Sequence, residues 1–171
     1  MRVPSVDFLA LLQTLVTHGV DFIIVGGVCA VLHGAPIATF DLDLVHSRAP
    51  DNIDRLLSAL RDLDAYYRGQ GERRLHPDST YLTSPGHQLL MTSLGPLDLL
   101  GTIGAHRNYA DLLEHTVELQ VGGLRLRVLN LETLIEIKEE VGHEKDKAVI
   151  PILRRTLQEK SRIEKLRNER G

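Results

Sequence analysis

The chain has 171 residues, 43% of them hydrophobic, which is enough for one compact core with a helical appendage. Its formal net charge of −3 excludes a global field that would draw it onto nucleic acid or an anionic membrane, although a local basic patch is compatible with that total. The single cysteine, Cys29, excludes an internal disulfide and suits a reducing compartment. The N-terminal stretch lacks a basic segment followed by a long apolar run, so we expect a cytoplasmic protein without a signal peptide or membrane span.

Hydrophobic periodicity and turn residues predict five elements in the first part of the chain. The first helix has Ser5 as its candidate N-cap and Gly19 as its C-terminal stop. In chain order the elements are a helix at 6–18, a buried strand at 22–25, a short helix at 28–33, a strand at 41–45 and a helix at 51–64.

The second part is predicted to contain short strands followed by helices. In chain order we expect a polar loop at 66–79, two or three strands among the segments 81–82, 87–91 and 97–100, a short helix at 108–115, a hairpin over 117–129, a helix from Leu131 capped by Asn130, and a charged helical tail at 145–170. This order predicts an α/β or α+β fold with a mixed sheet. We expect a single domain over 1–171, with a core at about 20–130 and C-terminal helices at about 131–170.

Gly26 and Gly27 separate a predicted strand from a predicted helix. Such a turn exposes backbone N–H groups at a helix N-terminus, where the helix dipole also favours a phosphate. Glycine is required where the backbone approaches a ligand closely. The alternative is that the two residues only satisfy the geometry of the turn.

Asp41 and Asp43 lie two positions apart in a predicted strand, so their carboxylates point to the same side. Two facing carboxylates repel each other unless a cation lies between them, and oxygen ligands of this kind suit Mg²⁺ or Mn²⁺. The alternative is a solvated strand face with both acids in water.

Asp98 interrupts an otherwise apolar strand, where an unpaired carboxylate is costly. Placed on a neighbouring strand, it would complete a two-metal site of the kind that supports in-line displacement at phosphorus. The alternative is an exposed acid at a strand end.

Two segments together resemble the nucleotidyltransferase superfamily: 22–34 with its Gly-Gly turn, and 39–45 with its Asp-x-Asp pair. The resemblance continues at 97–101, at 134–138 and at Lys145 with Asp146, and therefore covers roughly residues 20–150. More narrowly, the chain resembles the small bacterial group around the AbiEii-type toxins of toxin–antitoxin systems. No single one of these motifs is specific by itself.

The resemblance implies a metal-dependent enzyme that transfers a nucleoside monophosphate from a nucleoside triphosphate to an acceptor hydroxyl. It implies that Asp41, Asp43 and Asp98 are catalytic and bind Mg²⁺ or Mn²⁺. The nucleotide-binding residues implied are Gly26, Gly27, Thr39, Lys138 and Lys145. The acceptor would be a tRNA, a protein or a small molecule, and a cognate antitoxin would be a partner.

Lys138 lies on the same side of its predicted helix as the apolar residues, so it either pairs with an anion or extends to the edge of the apolar face. Lys145 either extends the same site or is an ordinary surface charge.

Two departures from the family pattern concern basic residues, because Ile37 and His143 occupy positions where relatives often carry Arg. The rival hypothesis is therefore a catalytically inactive binding module that acts through a protein partner. A third is a phosphoryl-transferring enzyme of the same superfamily, which would release a nucleoside diphosphate instead of pyrophosphate.

Overall fold

The computed structural model describes residues 6–171, which form seven strands and seven α-helices. The strands join one mixed sheet in the order β3-β4-β5-β2-β1-β7-β6, in which β2 pairs with β5 and β1 with β7 in parallel and the other neighbours are antiparallel. The strands are β1 Phe22–Val25, β2 Leu42–His46, β3 Tyr66–Tyr67, β4 His87–Thr92, β5 Gly95–Leu100, β6 Thr116–Val121 and β7 Leu124–Leu129. The sequence prediction of a mixed sheet is confirmed.

Helices flank this sheet. They are α1 Phe8–Thr17, α2 Gly26–Leu32, α3 Pro50–Asp62, α4 Ser79–Thr83, α5 Tyr109–Leu112, α6 Leu131–Val141 and α7 Glu144–Arg170, with a 3-10 turn at Leu113–His115. Helix α3 contacts α1 and α4, whereas α6 contacts α2 and α7. One cluster of buried apolar side chains extends from Leu11 in α1 to Leu153 in α7, so the long C-terminal helix packs its first half against the core.

The strands at the centre of the sheet are apolar on both faces. All four residues of β1 are buried, as are Leu42 and Leu44 in β2. This pattern is expected for strands that are covered from both sides. Asp43 is the one residue of β2 that is not fully buried, so this acid lies at the margin of the apolar centre of the sheet.

The first helix begins at Phe8, and its cap is Asp7, whose Oδ1 accepts a hydrogen bond from Ala10 N at 3.0 Å. Ser5, the predicted cap, lies outside the described residues. Helix α6 begins as predicted, because Asn130 Oδ1 accepts a hydrogen bond from Thr133 N at 2.8 Å.

Two predictions between 66 and 83 are wrong. Tyr66 and Tyr67 are not loop residues, because they pair with β4 as an edge strand. The predicted strand at 81–82 is instead part of helix α4, since Asp78 Oδ1 accepts a hydrogen bond from Tyr81 N at 3.0 Å and caps the helix. A side-chain cap of this kind outweighs the strand preference of so short an apolar run.

Candidate active site

The pairing of β2 with β5 brings two of the predicted catalytic acids together. The strands run parallel in the register Asp43↔Asp98, so the two residues are direct neighbours across the sheet. Their carboxyl groups are close enough for Asp98 to raise the pKa of Asp43, and Asp98 is only 9% exposed. The sequence prediction that Asp98 lies on a strand is therefore confirmed, and the structure shows that this strand is the neighbour of the one that carries Asp43.

Burial is the main reason why the pKa of Asp43 is raised from 3.8 to about 7. The hydrogen bond with Asp98 and the negative charges of Asp98 and Asp41 raise it further, while the positive charge of Lys138 lowers it. Burial and the neighbouring acids thus both disfavour the charged form of the Asp43 carboxyl group.

Asp41 lies one residue before β2, so the predicted strand is shifted by one position toward the C-terminus. Its backbone oxygen accepts a hydrogen bond from Thr39 Oγ1 at 3.3 Å, which ties together the turn that leads into the strand. Asp41 is partly exposed, unlike Asp98.

The two glycines are required by these neighbouring side chains. Gly26 has φ +66°, and a side chain added there would collide with the carboxylate of Asp43. A side chain at Gly27 would approach Thr39 Cβ to 2.9 Å. Helix α2 starts at Gly26, two residues earlier than predicted, so the Gly-Gly pair forms its first turn beside the acids.

Arg68 also contacts one of the acids of the candidate site, and the sequence analysis missed it. Its Nη2 donates to Asp98 Oδ1 at 2.7 Å, and its Nη1 donates to the carbonyl oxygen of Leu90 at 2.7 Å. Arg68 directly follows the two-residue strand β3, inside the segment expected to be a loop. The only signal in the sequence was the basic residue itself, since neither its spacing nor its neighbours pointed to Asp98.

The two predicted lysines occupy different environments. Lys138 is 19% exposed, and its Nζ donates to Asp146 Oδ1 at 3.0 Å rather than to one of the three predicted catalytic acids. It is still close enough to lower the pKa of Asp43. Lys145 is exposed near the start of α7, next to the buried Asp146.

The donor set fits a hard divalent cation in its chemistry. Within residues 6–171 no group of three acidic, histidine or cysteine side chains forms a ready-made metal site. Asp43 and Asp98 nevertheless contact each other, and Asp41 adds negative charge to the same place. Such carboxylates are the ligands that Mg²⁺ and Mn²⁺ take together with water and substrate phosphate, so the three acids are compatible with either ion.

Two solved structures share this architecture. A lincosamide antibiotic adenylyltransferase, LnuA, solved with lincomycin bound, superposes with a TM-score of 0.58 at 12% identity, covering 88% of this chain and 98% of that one. A protein from Thermotoga maritima described as a nucleotidyltransferase superposes with a TM-score of 0.54 at 16% identity, covering 89% of this chain and 93% of that one.

No family profile matches the chain, and no curated protein matches it in sequence. In the part of the chain that the structure describes, no helix is both long enough and apolar enough to cross a membrane. At these low identities the structural matches establish the architecture, which spans nearly the whole length of both neighbours. The chain has the nucleotidyltransferase fold.

Proposed function

We propose that the protein is a metal-dependent nucleotidyltransferase that moves a nucleoside monophosphate from a nucleoside triphosphate to an acceptor hydroxyl. The observation that carries this proposal is the contact between Asp43 and Asp98 on adjacent parallel strands, next to a glycine that leaves room for the Asp43 carboxylate. Solved structures with this fold include an antibiotic adenylyltransferase, which supports the same class of reaction.

In the proposed reaction the acceptor oxygen forms a bond to the α-phosphorus, and the bond from that phosphorus to the bridging oxygen breaks. Pyrophosphate leaves, and the acceptor proton passes to Asp98. Mg²⁺ or Mn²⁺, held by Asp41, Asp43 and Asp98, would neutralise charge on the triphosphate and on the leaving group. Asp43 and Asp98 are suited to this because their own repulsion favours a cation between them.

The nucleotide-binding side of the proposal rests on Gly26, Gly27, Thr39 and Lys138. The glycines leave the backbone N–H groups at the start of α2 open to a phosphate beside the acids. The positive charge of Lys138 lowers the pKa of Asp43, although Lys138 also donates a hydrogen bond to Asp146. Lys145, which the resemblance assigns to the same group, is exposed near the start of α7.

The narrower part of the proposal rests on the sequence resemblance alone. It places the protein in the cytoplasm as an AbiEii-like toxin restrained by a protein antitoxin. The acceptor hydroxyl then belongs to a tRNA, a protein or a small molecule. LnuA, which was solved with lincomycin bound, supports the small-molecule option.

The test is to incubate the protein with each of the four nucleoside triphosphates labelled at the α-phosphate, together with a cell extract as the source of acceptors. We expect Mg²⁺-dependent transfer of label with release of pyrophosphate, and loss of transfer in Asp43→Asn. Asp64→Asn is a matched control, because Asp64 is an exposed acid that pairs with Arg74. Release of a nucleoside diphosphate would indicate phosphoryl transfer instead, and absence of any reaction would favour the binding module.

A further inference from the structure

We propose that Arg68 is a positioning residue that fixes the carboxylate of Asp98 in the active site. This inference rests on the proposed function, since it assigns Asp98 the role of proton acceptor and metal ligand. Arg68 lies outside every motif on which the family resemblance depends. What singles it out is its set of contacts across the sheet.

Three hydrogen bonds hold Arg68 against the sheet. Its backbone N–H donates to Leu89 O at 3.0 Å, its Nη1 to Leu90 O at 2.7 Å and its Nη2 to Asp98 Oδ1 at 2.7 Å. Leu89 is also the β4 residue that pairs with Asp98 in β5. The guanidinium group therefore reaches across one whole strand from the sheet edge to bind the acid.

The geometry requires an arginine. The planar guanidinium group donates from one nitrogen to a backbone carbonyl of β4 and from another to the Asp98 carboxylate. The main chain of β4 therefore fixes the position of Asp98 Oδ1 through Arg68. A lysine has a single ammonium group on a flexible chain and would not impose this fixed two-point arrangement. The contact is also sheltered, because the side chains of Arg68 and Asp98 are 26% and 13% exposed.

The contact has an electrostatic consequence for the three acids. The positive charge of Arg68 lies next to the Asp98 carboxylate and therefore repels a divalent cation that binds the same acids. The same contact orients the Asp98 carboxylate, which such a cation would use as a ligand. Removing the charge should strengthen cation binding, and removing the two-point contact should impair catalysis. If Arg68 only supported the edge of the sheet, its substitution would change the stability of the protein but neither cation binding nor the rate of catalysis.

The environment of Arg68 provides a matched control. Residues 69–76 are exposed, and Gly69 and Gly71 adopt left-handed backbone conformations with open space around them. Arg73 is an exposed arginine in the same segment. Arg73→Gln thus removes the same charge from the same segment without touching Asp98.

The experiment measures Mn²⁺ binding by electron paramagnetic resonance, with one nucleoside triphosphate present, for wild type, Arg68→Gln, Arg68→Lys and Arg73→Gln. We expect Arg68→Gln to lower the Mn²⁺ Kd about tenfold, because a unit charge is lost next to the ligands. We expect Arg68→Lys and Arg73→Gln to bind Mn²⁺ as wild type does. Circular dichroism melting shows that each variant is folded, and Arg68→Lys remains informative if Arg68→Gln is unstable.

Pyrophosphate release under the same conditions separates orientation from charge. Both Arg68 variants should lose about tenfold or more in kcat with little change in KM for the nucleotide, because a misplaced reacting group lowers the rate more than it lowers binding. If both Arg68 variants match Arg73→Gln in Mn²⁺ Kd and in kcat, the positioning role is wrong and the proposed function stands. If wild type itself binds no Mn²⁺ with any nucleotide, the proposed function fails first.

Discussion

At Gly26 both the backbone and a neighbouring carboxylate exclude a side chain. The residue has φ +66°, and an added Cβ would collide with the Asp43 carboxylate. Gly123, in the turn between β6 and β7, also has a left-handed conformation, with φ +80°, but nothing lies within 4 Å of an added Cβ. Comparing substitutions at the two glycines therefore distinguishes the effect of backbone strain from the effect of displacing Asp43.

We expect Gly123→Ala to cost about 1–2 kcal/mol in the free energy of unfolding, which is the usual penalty for a side chain in this conformation. Gly26→Ala should cost more and should also abolish stabilisation by a nucleotide with Mg²⁺, because Asp43 must move. Urea unfolding with and without nucleotide measures both effects. If the two variants lose the same free energy of unfolding and the same stabilisation by nucleotide, the contact between Gly26 and Asp43 has no importance.

The raised pKa of Asp43 predicts how stability depends on pH in metal-free buffer. The unfolded chain loses this proton near pH 4, whereas the folded protein keeps it to about pH 7, so the folded state binds more protons between these values. Stability should therefore fall as the pH rises through this window, by an amount on the order of a few kcal/mol. Asp43→Asn lacks the titrating group and should not show this loss.

Two buried histidines act in the opposite direction. Burial lowers the pKa of His33 and of His46, so these residues add stability as the pH rises through about 6.5. They are present in both proteins, and the difference between Asp43→Asn and wild type cancels their contribution. Chemical unfolding at several pH values from 4 to 8 with EDTA measures that difference. A difference that stays flat across this range would contradict the assignment.

On the scale of elements, two ion pairs join the last two helices, and the pair between Glu139 and Arg154 is the more exposed of them. Lys138 in α6 binds Asp146 in α7 at 3.0 Å, and the two side chains are only 19% and 12% exposed. Helices α6 and α7 are separated by only two residues, and Gly142 adopts a left-handed conformation between them. This pair therefore ties the first turn of α7 to α6 in a sheltered place.

Removing one partner should be costly, because the other charge is then left without a counter-ion in a sheltered place. We expect Asp146→Ala to lower the free energy of unfolding by about 2–4 kcal/mol, and the double variant Lys138→Met/Asp146→Leu to recover most of that loss. The exposed pair Lys147–Glu144 lies on the same helix, and Glu144→Ala should cost less than about 1 kcal/mol. If both single variants cost the same, the Lys138–Asp146 pair does not stabilise the junction.

The sequence predicts the parts of the site that depend on regular patterns. Alternation of polar and apolar residues placed Asp43 on a strand, and the apolar run around Asp98 placed that acid on another. The parallel pairing of β2 with β5 that joins them was not predicted, and only the structure shows it. The shift of Asp41 to just before the strand is within the usual uncertainty of a strand boundary.

The parts that were missed depend on contacts between distant residues. Arg68 lies in a polar stretch without periodicity, and only the pairing of β3 with β4 brings it across to Asp98. The helix at 79–83 is fixed by the cap from Asp78, and its few apolar residues were equally compatible with a strand. Lys138 was expected on the apolar side of α6. Its partner Asp146 was not predicted, because only the position of α7 relative to α6 shows that Lys138 binds Asp146 and not one of the catalytic acids.

For the whole molecule, the central claim is that the acids beside Gly26 form a working site for a nucleotide and a metal ion. The most direct test is thermal unfolding of wild type and Asp41→Asn/Asp43→Asn with each of the four nucleoside triphosphates, with and without Mg²⁺. The matched control is Asp62→Asn/Asp64→Asn, which changes two exposed acids at the same spacing.

A ligand at about 100 times its Kd adds roughly 2.7 kcal/mol to stability, which for a chain of this size corresponds to a shift of about 5–10 °C. We predict such a shift for wild type and for the control variant with one nucleotide and Mg²⁺ together, and its absence in Asp41→Asn/Asp43→Asn. A wild-type Tm that no nucleotide changes, or a shift that survives the loss of both acids, would contradict the claim.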